Sequence, residues 1–299
     1  MRSNALAGST VLRFAPSPNG LLHLGHAYSA LLNQRFAAAT SGRLLIRIED
    51  LDRARCKARY EKAILDDLDW LGLRFEQPAR RQSEHEADYA AALDRLDDRG
   101  LVYSCFCSRA EVARTAAGAD PDGAPLYSRA CRTLSAGAVA ERIAKGETFA
   151  RRLDMRQAID RAPTRLVWSE YGEGATPRER IAEPALWGDV VLRGRDLAAS
   201  YHLAVAVDDA LQGITDVMRG RDLLVATSVH RLLQDLLGLP APRYRHHRLV
   251  LDSDGTKLSK RRLSPTLAGL RAEGVSPAAI RAALGFGGGD SGGLAVAIS

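Results

Sequence analysis

Apolar and polar positions along the chain form blocks that predict alternating strands and helices. Short apolar runs that end at turn residues are typical of buried strands, whereas apolar positions three and four apart are typical of helices. Gly72 and Gly100 follow two helical blocks, as expected where helices end. Ser83 and Glu86 have the spacing of a capping box. In the first hundred residues the predicted elements are strands at 11–15 and 43–48 and helices at 25–39, 57–71 and 83–99.

This alternation predicts an α/β fold in which helices cover a parallel sheet. The pattern breaks between residues 101 and 188, where clustered cysteines, several prolines and a turn at 119–123 indicate an insertion. Strands are expected again at 203–207, 214–218 and 249–251, with a helix at 226–237. Four units are therefore predicted: a first half of the sheet domain (1–100), the insertion (101–188), a second half (189–262), and a short helical segment with a flexible glycine-rich tail (263–299).

Composition supports a folded enzyme of ordinary kind. Apolar residues make up 46% of the 299 residues and charged residues 26%, which excludes a mainly disordered chain, a collagen and a coiled-coil rod. No apolar run approaches the roughly 18 residues of a membrane span. The first ten residues lack the apolar core of a secretory signal, so we expect no membrane partner and a cytoplasmic location.

The net charge of +6 suits a polyanionic partner such as a nucleic acid or a nucleotide. An alternative is a compositional preference for arginine, because only five of the basic residues are lysines. Charge alone leaves both interpretations open.

A candidate phosphate site lies at residues 16–26, between the first strand and the first helix. A helix N-terminus offers unpaired N–H groups and a partial positive charge to phosphate. Gly25 lets a ligand approach the backbone, and His23 and His26 can donate to phosphate oxygens. The alternative is a pair of ordinary capping histidines.

A second basic site follows the predicted strand 249–251 and a turn at Gly255. Two of the five lysines, Lys257 and Lys260, lie here within four residues, next to Arg261. Lysine carries a compact charge that can follow a moving phosphate, so Lys260 could neutralise a leaving pyrophosphate. Taken alone, this segment is more typical of a solvated basic loop.

Three of the four cysteines, Cys105, Cys107 and Cys131, lie in the insertion and are candidate ligands of a metal ion. A structural zinc normally has four ligands, and no histidine lies between His85 and His202. Nearby oxygens remain as the fourth ligand, and the alternative is three buried free thiols. The candidate oxygen donors are Glu111, Asp120, Asp122 and Tyr127.

Together the two phosphate motifs, 23–26 and 257–261, resemble those of the class I aminoacyl-tRNA synthetases. Arg261 stands where serine is common in that family. The segments 13–18, 47–52, 201–209 and 217–220 are similar to the glutamyl branch. The resemblance implies a Rossmann-like nucleotide-binding fold with a zinc-binding insertion, and His23, His26 and Lys260 as catalytic residues. ATP would bind to His23, Gly25, His26, Lys257 and Lys260, with Mg²⁺.

The same resemblance implies a glutamate pocket. A glutamate presents one ammonium group and two carboxylates, which suit Glu49 and a pair of arginines near strand ends. The family resemblance also favours Tyr127 as the fourth ligand of one structural zinc ion. The implied glutamate contacts are Arg13, Phe14, Ala15, Pro16, Ser17, Glu49, Tyr201 and Arg219.

Only 38 residues follow Arg261, fewer than a further domain needs. This brings the chain closest to the glutamyl-Q tRNA(Asp) synthetases, which are truncated paralogues. We expect this chain to be a monomer. The family implies tRNA-independent activation of L-glutamate with ATP and its transfer to queuosine in the anticodon loop of tRNA(Asp). The alternatives are a truncated glutamyl-tRNA synthetase, a small-molecule adenylyltransferase and a non-catalytic zinc module that binds nucleic acid.

Overall fold

The computed structural model describes residues 9–251 and 265–287, together with 291, 294 and 296–299. In its first part, strands and helices alternate as predicted, except for a third strand that the sequence did not indicate. The elements are β1 (Val11–Phe14), α1 (Leu24–Ala39), β2 (Arg43–Ile48), α2 (Ala58–Trp70), β3 (Glu76–Arg81) and α3 (Glu86–Asp97).

The first three strands form a parallel sheet in the order β1-β2-β3. Leu12, Ile46 and Ile48 are fully buried, and α1 packs on the sheet through apolar residues such as Leu31. Strand β3 was not predicted because its sequence is polar and contains Pro78, which is tolerated at a sheet edge.

The predicted capping box at Ser83 is wrong. Ser83 lies in a 3-10 turn, and its backbone N–H and hydroxyl donate to the carboxylate of Asp50 at 2.9 and 2.6 Å. An N-cap hydroxyl accepts from a backbone N–H, whereas Ser83 donates to a charged carboxylate just after β2, and charge-assisted bonds of this kind are the stronger ones. Helix α3 therefore begins two residues later than a Ser83 cap would place it, at Glu86, and Gly100 follows its end with φ 69°.

The segment predicted as one insertion contains two structural parts. Strands β4 (Val102–Cys105), β5 (Ala150–Leu153) and β8 (Val191–Arg193) form a separate antiparallel sheet. By contrast, the hairpin of β6 (Val167–Glu170) and β7 (Arg178–Ile181) extends the sheet of the second half. Three short helices connect these strands, namely α4 (Arg109–Thr115), α5 (Ala136–Ala144) and α6 (Met155–Arg161).

The second half adds two parallel strands beside β1. Its elements are α7 (Tyr201–Leu211), β9 (Asp216–Gly220), α8 (Thr227–Leu237) and β10 (Arg243–His247). The backbone N–H of Thr215 donates to Val11 at 3.0 Å, which joins the start of β9 to β1. This bond places the edge strand β9 of the β7-β6-β10-β9 sheet beside the edge strand β1 of the β1-β2-β3 sheet, so the spatial order β3-β2-β1-β9-β10 reverses between β1 and β9. Ligands of open parallel sheets bind at such a reversal, outside the carboxyl ends of the strands.

The strand expected at 203–207 is wrong, because these residues lie in helix α7. Leu203 to Val207 are all buried, so the helix has no polar stripe there and its periodicity resembles that of a buried strand. The hydroxyl of Ser200 accepts from the N–H of Leu203 and caps the helix.

The C-terminal part contains β11 (Val250–Leu251), α9 (Leu267–Ala272), α10 (Pro277–Ala283) and β12 (Ala297–Ile298). A short helical segment was expected in this region, where α9 and α10 lie, whereas the pairing of β12 with β11 was not expected. Lys257 and Lys260 lie outside the described residues. Among the residues that are described, no helix is long and apolar enough to cross a membrane.

Candidate active site

A cavity of about 590 Å³ opens at the reversal between β1 and β9. Its wall is built from the ends of β1, β2, β9 and β10, the loop after β1 and the first turns of α1 and α7. The structure therefore brings together eleven residues that the sequence assigned to glutamate or ATP. These are Arg13, Phe14, Ala15, Pro16, Ser17, His23, Gly25, His26, Glu49, Tyr201 and Arg219.

The two motif histidines cap helix α1 and face the cavity as well. His23 is the N-cap residue, and its Nδ1 accepts from the N–H of Gly25 at 3.1 Å. The Nδ1 of His26 accepts from the N–H of His23, also at 3.1 Å. The two rings lie 3.8 Å apart between centroids. Capping and ligand binding are thus compatible roles here, rather than alternatives.

These bonds fix the tautomer of both rings. A neutral imidazole that accepts at Nδ1 carries its proton on Nε2, where it is a donor. Each ring therefore uses one nitrogen for the helix cap and carries an N–H at the other. With the helix N-terminus beside them, both groups suit the oxygens of a phosphate chain.

Gly25 is required by the position of the His23 ring. A Cβ at residue 25 would lie 3.0 Å from His23 Cε1 and 3.1 Å from its Nδ1. We expect Gly25→Ala to displace that ring and lower the rate of ATP–pyrophosphate exchange roughly tenfold. The melting temperature should change little, because the preference of a helix for alanine over glycine, about 1 kcal/mol, offsets loss of the His23 cap, which contributes about the same.

Gly137→Ala is the matched control, measured by the same exchange assay and thermal melt. Gly137 is also the second residue of a helix, but its Cβ would meet nothing closer than 4.0 Å. An unchanged exchange rate in Gly25→Ala would show that the His23 ring position is unimportant.

A buried charge network supports one wall of the cavity. Arg13 is 4% exposed and donates from Nε to Asp209 at 2.9 Å, and Arg47 donates to the same oxygen at 2.8 Å. Burial would raise the pKa of Asp209, but the charges of Arg13 and Arg47 outweigh it and lower that pKa. Asp209 is therefore ionised, and it holds Arg13 against α7.

Glu49 follows β2 and lies at the edge of this network. Its carboxylate is 3.5 Å from Arg47 Nε, while its backbone N–H donates to Pro16 at 3.0 Å. The hydroxyl of Ser17 donates to the carbonyl of Glu49 at 2.8 Å, so the loop after β1 fixes this residue. Burial raises the pKa of Glu49, although Arg47 and Arg13 oppose the shift.

Arg219, near the end of β9, is surrounded by neutral acceptors. It is 6% exposed and donates to the phenol of Tyr201 at 3.2 Å and the hydroxyl of Thr227 at 2.8 Å. Its other partners are His230, His246 and the carbonyl of Leu223. In the described part of the chain no carboxylate forms a salt bridge with it. A buried cation of this kind is costly without an anion, and the cavity offers a place for one.

The chain matches the family model described as "tRNA synthetases class I (E and Q), catalytic domain" over residues 9–293. The chain belongs to this family. It is 47% identical to the glutamyl-Q tRNA(Asp) synthetase of Rhodobacter capsulatus over 92% of this chain and 100% of that protein. It is 42% identical to the Nocardia farcinica protein of the same name, over 91% of this chain and 82% of that one. Membership makes the chain a ligase of the aminoacyl-tRNA synthetase class.

Solved structures agree with this assignment. The fold is similar to a glutamate tRNA ligase from Elizabethkingia meningosepticum in complex with its amino acid, with a TM-score of 0.74 and 26% identity. The match covers 93% of this chain and 60% of that ligase. The class I synthetase α/β fold expected from the sequence is therefore confirmed.

Several residues of this synthetase site were not predicted from the sequence. Arg47 and Asp209 interrupt apolar runs, and a charged residue inside such a run signals a buried partner. Glu170, His230 and His246 gave no comparable signal, because their partners lie on elements distant in the chain.

The three insertion cysteines converge in this member of the synthetase family. The Sγ atoms of Cys105, Cys107 and Cys131 lie within 4.8 Å of one another. The phenol oxygen of Tyr127 is 3.7 Å from Cys107 Sγ and accepts from the N–H of Cys131 at 2.8 Å. Apolar neighbours such as Phe106 surround the cluster. Three thiols and a phenol oxygen at these distances fit a metal ion of the zinc type.

Proposed function

We propose that this protein activates L-glutamate with ATP and transfers it to queuosine at the wobble position of tRNA(Asp). The observation that supports glutamate most strongly is Arg219, a buried guanidinium beside the cavity whose described partners are all neutral. A carboxylate in the cavity would supply its counter-charge. A neutral amino-acid side chain would leave the cation unpaired, so the pocket favours an acidic one.

The remaining groups fit the rest of the amino acid. Glu49 offers a carboxylate to the ammonium group, and Arg13 and Tyr201 offer donors to carboxylate oxygens. Ser17, Phe14, Ala15 and Pro16 shape the wall between them. In this assignment the two carboxylates of glutamate are bound by Arg13 and Arg219 on neighbouring strands.

ATP fits the side of the cavity formed by α1. His23 and His26 would donate to its phosphates from Nε2, and Gly25 keeps the backbone accessible. An oxygen of the α-carboxylate of glutamate would attack the α-phosphorus of ATP, forming the acyl adenylate as pyrophosphate leaves. Mg²⁺ bound with ATP would balance the phosphate charge. Lys257 and Lys260 are assigned to that pyrophosphate by their motif alone.

Transfer to queuosine is supported by the names of the relatives that match almost end to end. In this step a queuosine hydroxyl attacks the activated carbonyl, an ester forms and AMP leaves. A second candidate is transfer to a tRNA 3′ end, because a Nitrosococcus oceani protein named glutamate–tRNA ligase 2 is 38% identical over 90% of this chain and 57% of that protein.

Labelled glutamate and trimmed tRNA(Asp) test the acceptor directly. The substrate is prepared with or without queuosine, and the 3′-terminal adenosine is removed enzymatically from half of each sample. We expect transfer that survives trimming and requires queuosine. Transfer that disappears with the terminal adenosine would contradict the proposal and identify a 3′-end ligase.

We also propose that Cys105, Cys107, Cys131 and Tyr127 hold one structural zinc ion. Metal analysis should find about one zinc per chain, and Cys107→Ser or Cys131→Ser should abolish it, because each removes a thiolate ligand. Tyr127→Phe should weaken retention against a chelator. Cys56→Ser is the control, since Cys56 lies outside the cluster near Ser17. A zinc-free wild-type protein, carefully purified, would refute the site.

A further inference from the structure

Among the described residues, the carboxylate of Glu170 is connected to Arg219 through the imidazole of His246. Glu170, at the end of β6, lies 2.5 Å from Nδ1 of His246, and Nε2 of His246 lies 3.1 Å from Nε of Arg219. All three side chains are buried, with exposures of 6%, 7% and 6% in that order. The hairpin that carries Glu170 is thus connected to the floor of the cavity.

The direction of these bonds follows from the chemistry of the guanidinium. Arginine can only donate, so Nε2 of His246 accepts and the proton of the ring lies on Nδ1, which donates to Glu170. The backbone N–H groups of His246 and Gly172 hold the other oxygen of Glu170 at 3.0 and 2.8 Å. The imidazole therefore has one defined tautomer.

The charge states agree with this assignment. Burial would raise the pKa of Glu170, but the hydrogen bonds from His246 and the adjacent backbone outweigh it and lower that pKa to about 2. The pKa of His246 is lowered to about 4, mainly by burial and also by the charge of Arg219, although the hydrogen bond to Glu170 raises it. At pH 7 the group consists of an anion, a neutral ring and a cation.

We propose that Glu170 and His246 are positioning residues that make Arg219 selective for the carboxylate of a glutamate side chain. The ring of His246 fixes the plane of the Arg219 guanidinium, and it also separates the Glu170 carboxylate from that guanidinium. A carboxylate in direct contact would form a paired salt bridge and compete with the substrate. This inference rests on the proposed binding of glutamate in the cavity.

Arg13 provides the contrast within the same cavity. Its guanidinium is in direct contact with Asp209, at 2.9 Å, so much of its charge is already balanced. Arg219 has no such partner among the described residues. Discrimination between glutamate and glutamine should therefore depend on Arg219 and its supporting pair, rather than on Arg13.

Glu170→Gln tests the pair with little change of shape. The amide of the new glutamine can donate to Nδ1 of His246, so the ring proton can move to Nε2. An Nε2–H can no longer accept from Arg219, and the bond that positions the guanidinium is lost. We expect the KM for glutamate to rise roughly tenfold and the preference for glutamate over glutamine to fall by the same factor, with kcat and the KM for ATP changed less than about twofold.

Glu173→Gln is the matched control. It removes one negative charge three residues away, where Glu173 pairs with the exposed Arg248 at 3.0 Å and does not contact His246. Its KM for glutamate should equal that of the wild type. An equal rise in both variants would overturn the proposal, because it would reflect net charge rather than the Glu170–His246 pair.

The tautomer can be read without any activity. In protein labelled with ¹⁵N-histidine at pH 7, the His246 ring, assigned through His246→Asn, should show the neutral Nδ1–H form. A protonated ring or the Nε2–H form would overturn the proposal even if Glu170→Gln failed to fold. If the tautomer is as expected but Glu170→Gln leaves the KM for glutamate unchanged, the positioning role is refuted. If the wild-type protein does not activate glutamate at all, the proposed function is refuted instead.

Discussion

Replacement of Arg219 by leucine is expected to lower kcat/KM for glutamate roughly 100-fold, mainly through KM, since a buried charge-assisted hydrogen bond contributes about 1.5–3 kcal/mol. The variant removes the cation that the cavity presents beside Tyr201 while keeping an apolar volume on β9. ATP–pyrophosphate exchange at varied glutamate and fixed ATP measures the effect. The KM for ATP should stay near the wild-type value.

Two variants separate charge from position at this site. Arg219→Lys retains the cation but cannot bond His246, Tyr201 and Thr227 at once, so it should recover only part of the loss. Arg248→Leu removes an exposed arginine from the adjacent strand end and should change nothing. A wild-type KM in Arg219→Leu would exclude Arg219 from the glutamate pocket.

Replacement of His26 by alanine is expected to lower the rate of glutamate activation by roughly 10²–10³-fold, as for the loss of a donor that stabilises transition-state charge. The Nε2–H of His26 is the group in question, because Nδ1 is used by the N–H of His23. The KM for glutamate should change little, since His26 lies on the α1 side of the cavity. Exchange kinetics at saturating glutamate measure the effect.

The two nitrogens of His26 can be tested one at a time. His26→Asn places an acceptor near the position of Nδ1 and should restore the helix cap without restoring activity. His26→Gln reaches toward the position of Nε2 and should recover part of the rate. If His26→Asn were as active as the wild type, His26 would be a capping residue only.

Much of the parallel sheet and its helices was predictable because its elements have distinct periodicity. Strand β2 and helix α1 end within one residue of their predicted bounds. Helix α7 was mistaken for a strand because its centre is buried on all sides and shows no polar stripe. Strand β3 was missed because it is polar and lies at an edge.

The cavity was predictable as a set of residues but not as a network. The family resemblance assigned His23 to ATP and assigned Glu49 and Arg219 to glutamate, and the structure places all three on one cavity. The Asp209 pair of Arg13 and the Glu170–His246 pair of Arg219 depend on contacts between elements far apart in sequence. No local pattern encodes such contacts. The hairpin of Glu170 even lies inside the range that the cysteines and prolines marked as an insertion.

The central claim is that this chain activates glutamate by itself. ATP–pyrophosphate exchange, run without tRNA and with each of the twenty amino acids in turn, tests it most directly. We predict exchange with glutamate, and much weaker exchange with glutamine, because only glutamate supplies a carboxylate to Arg219. If none of the twenty amino acids supports exchange, or if glutamate and glutamine support it equally, the claim is contradicted.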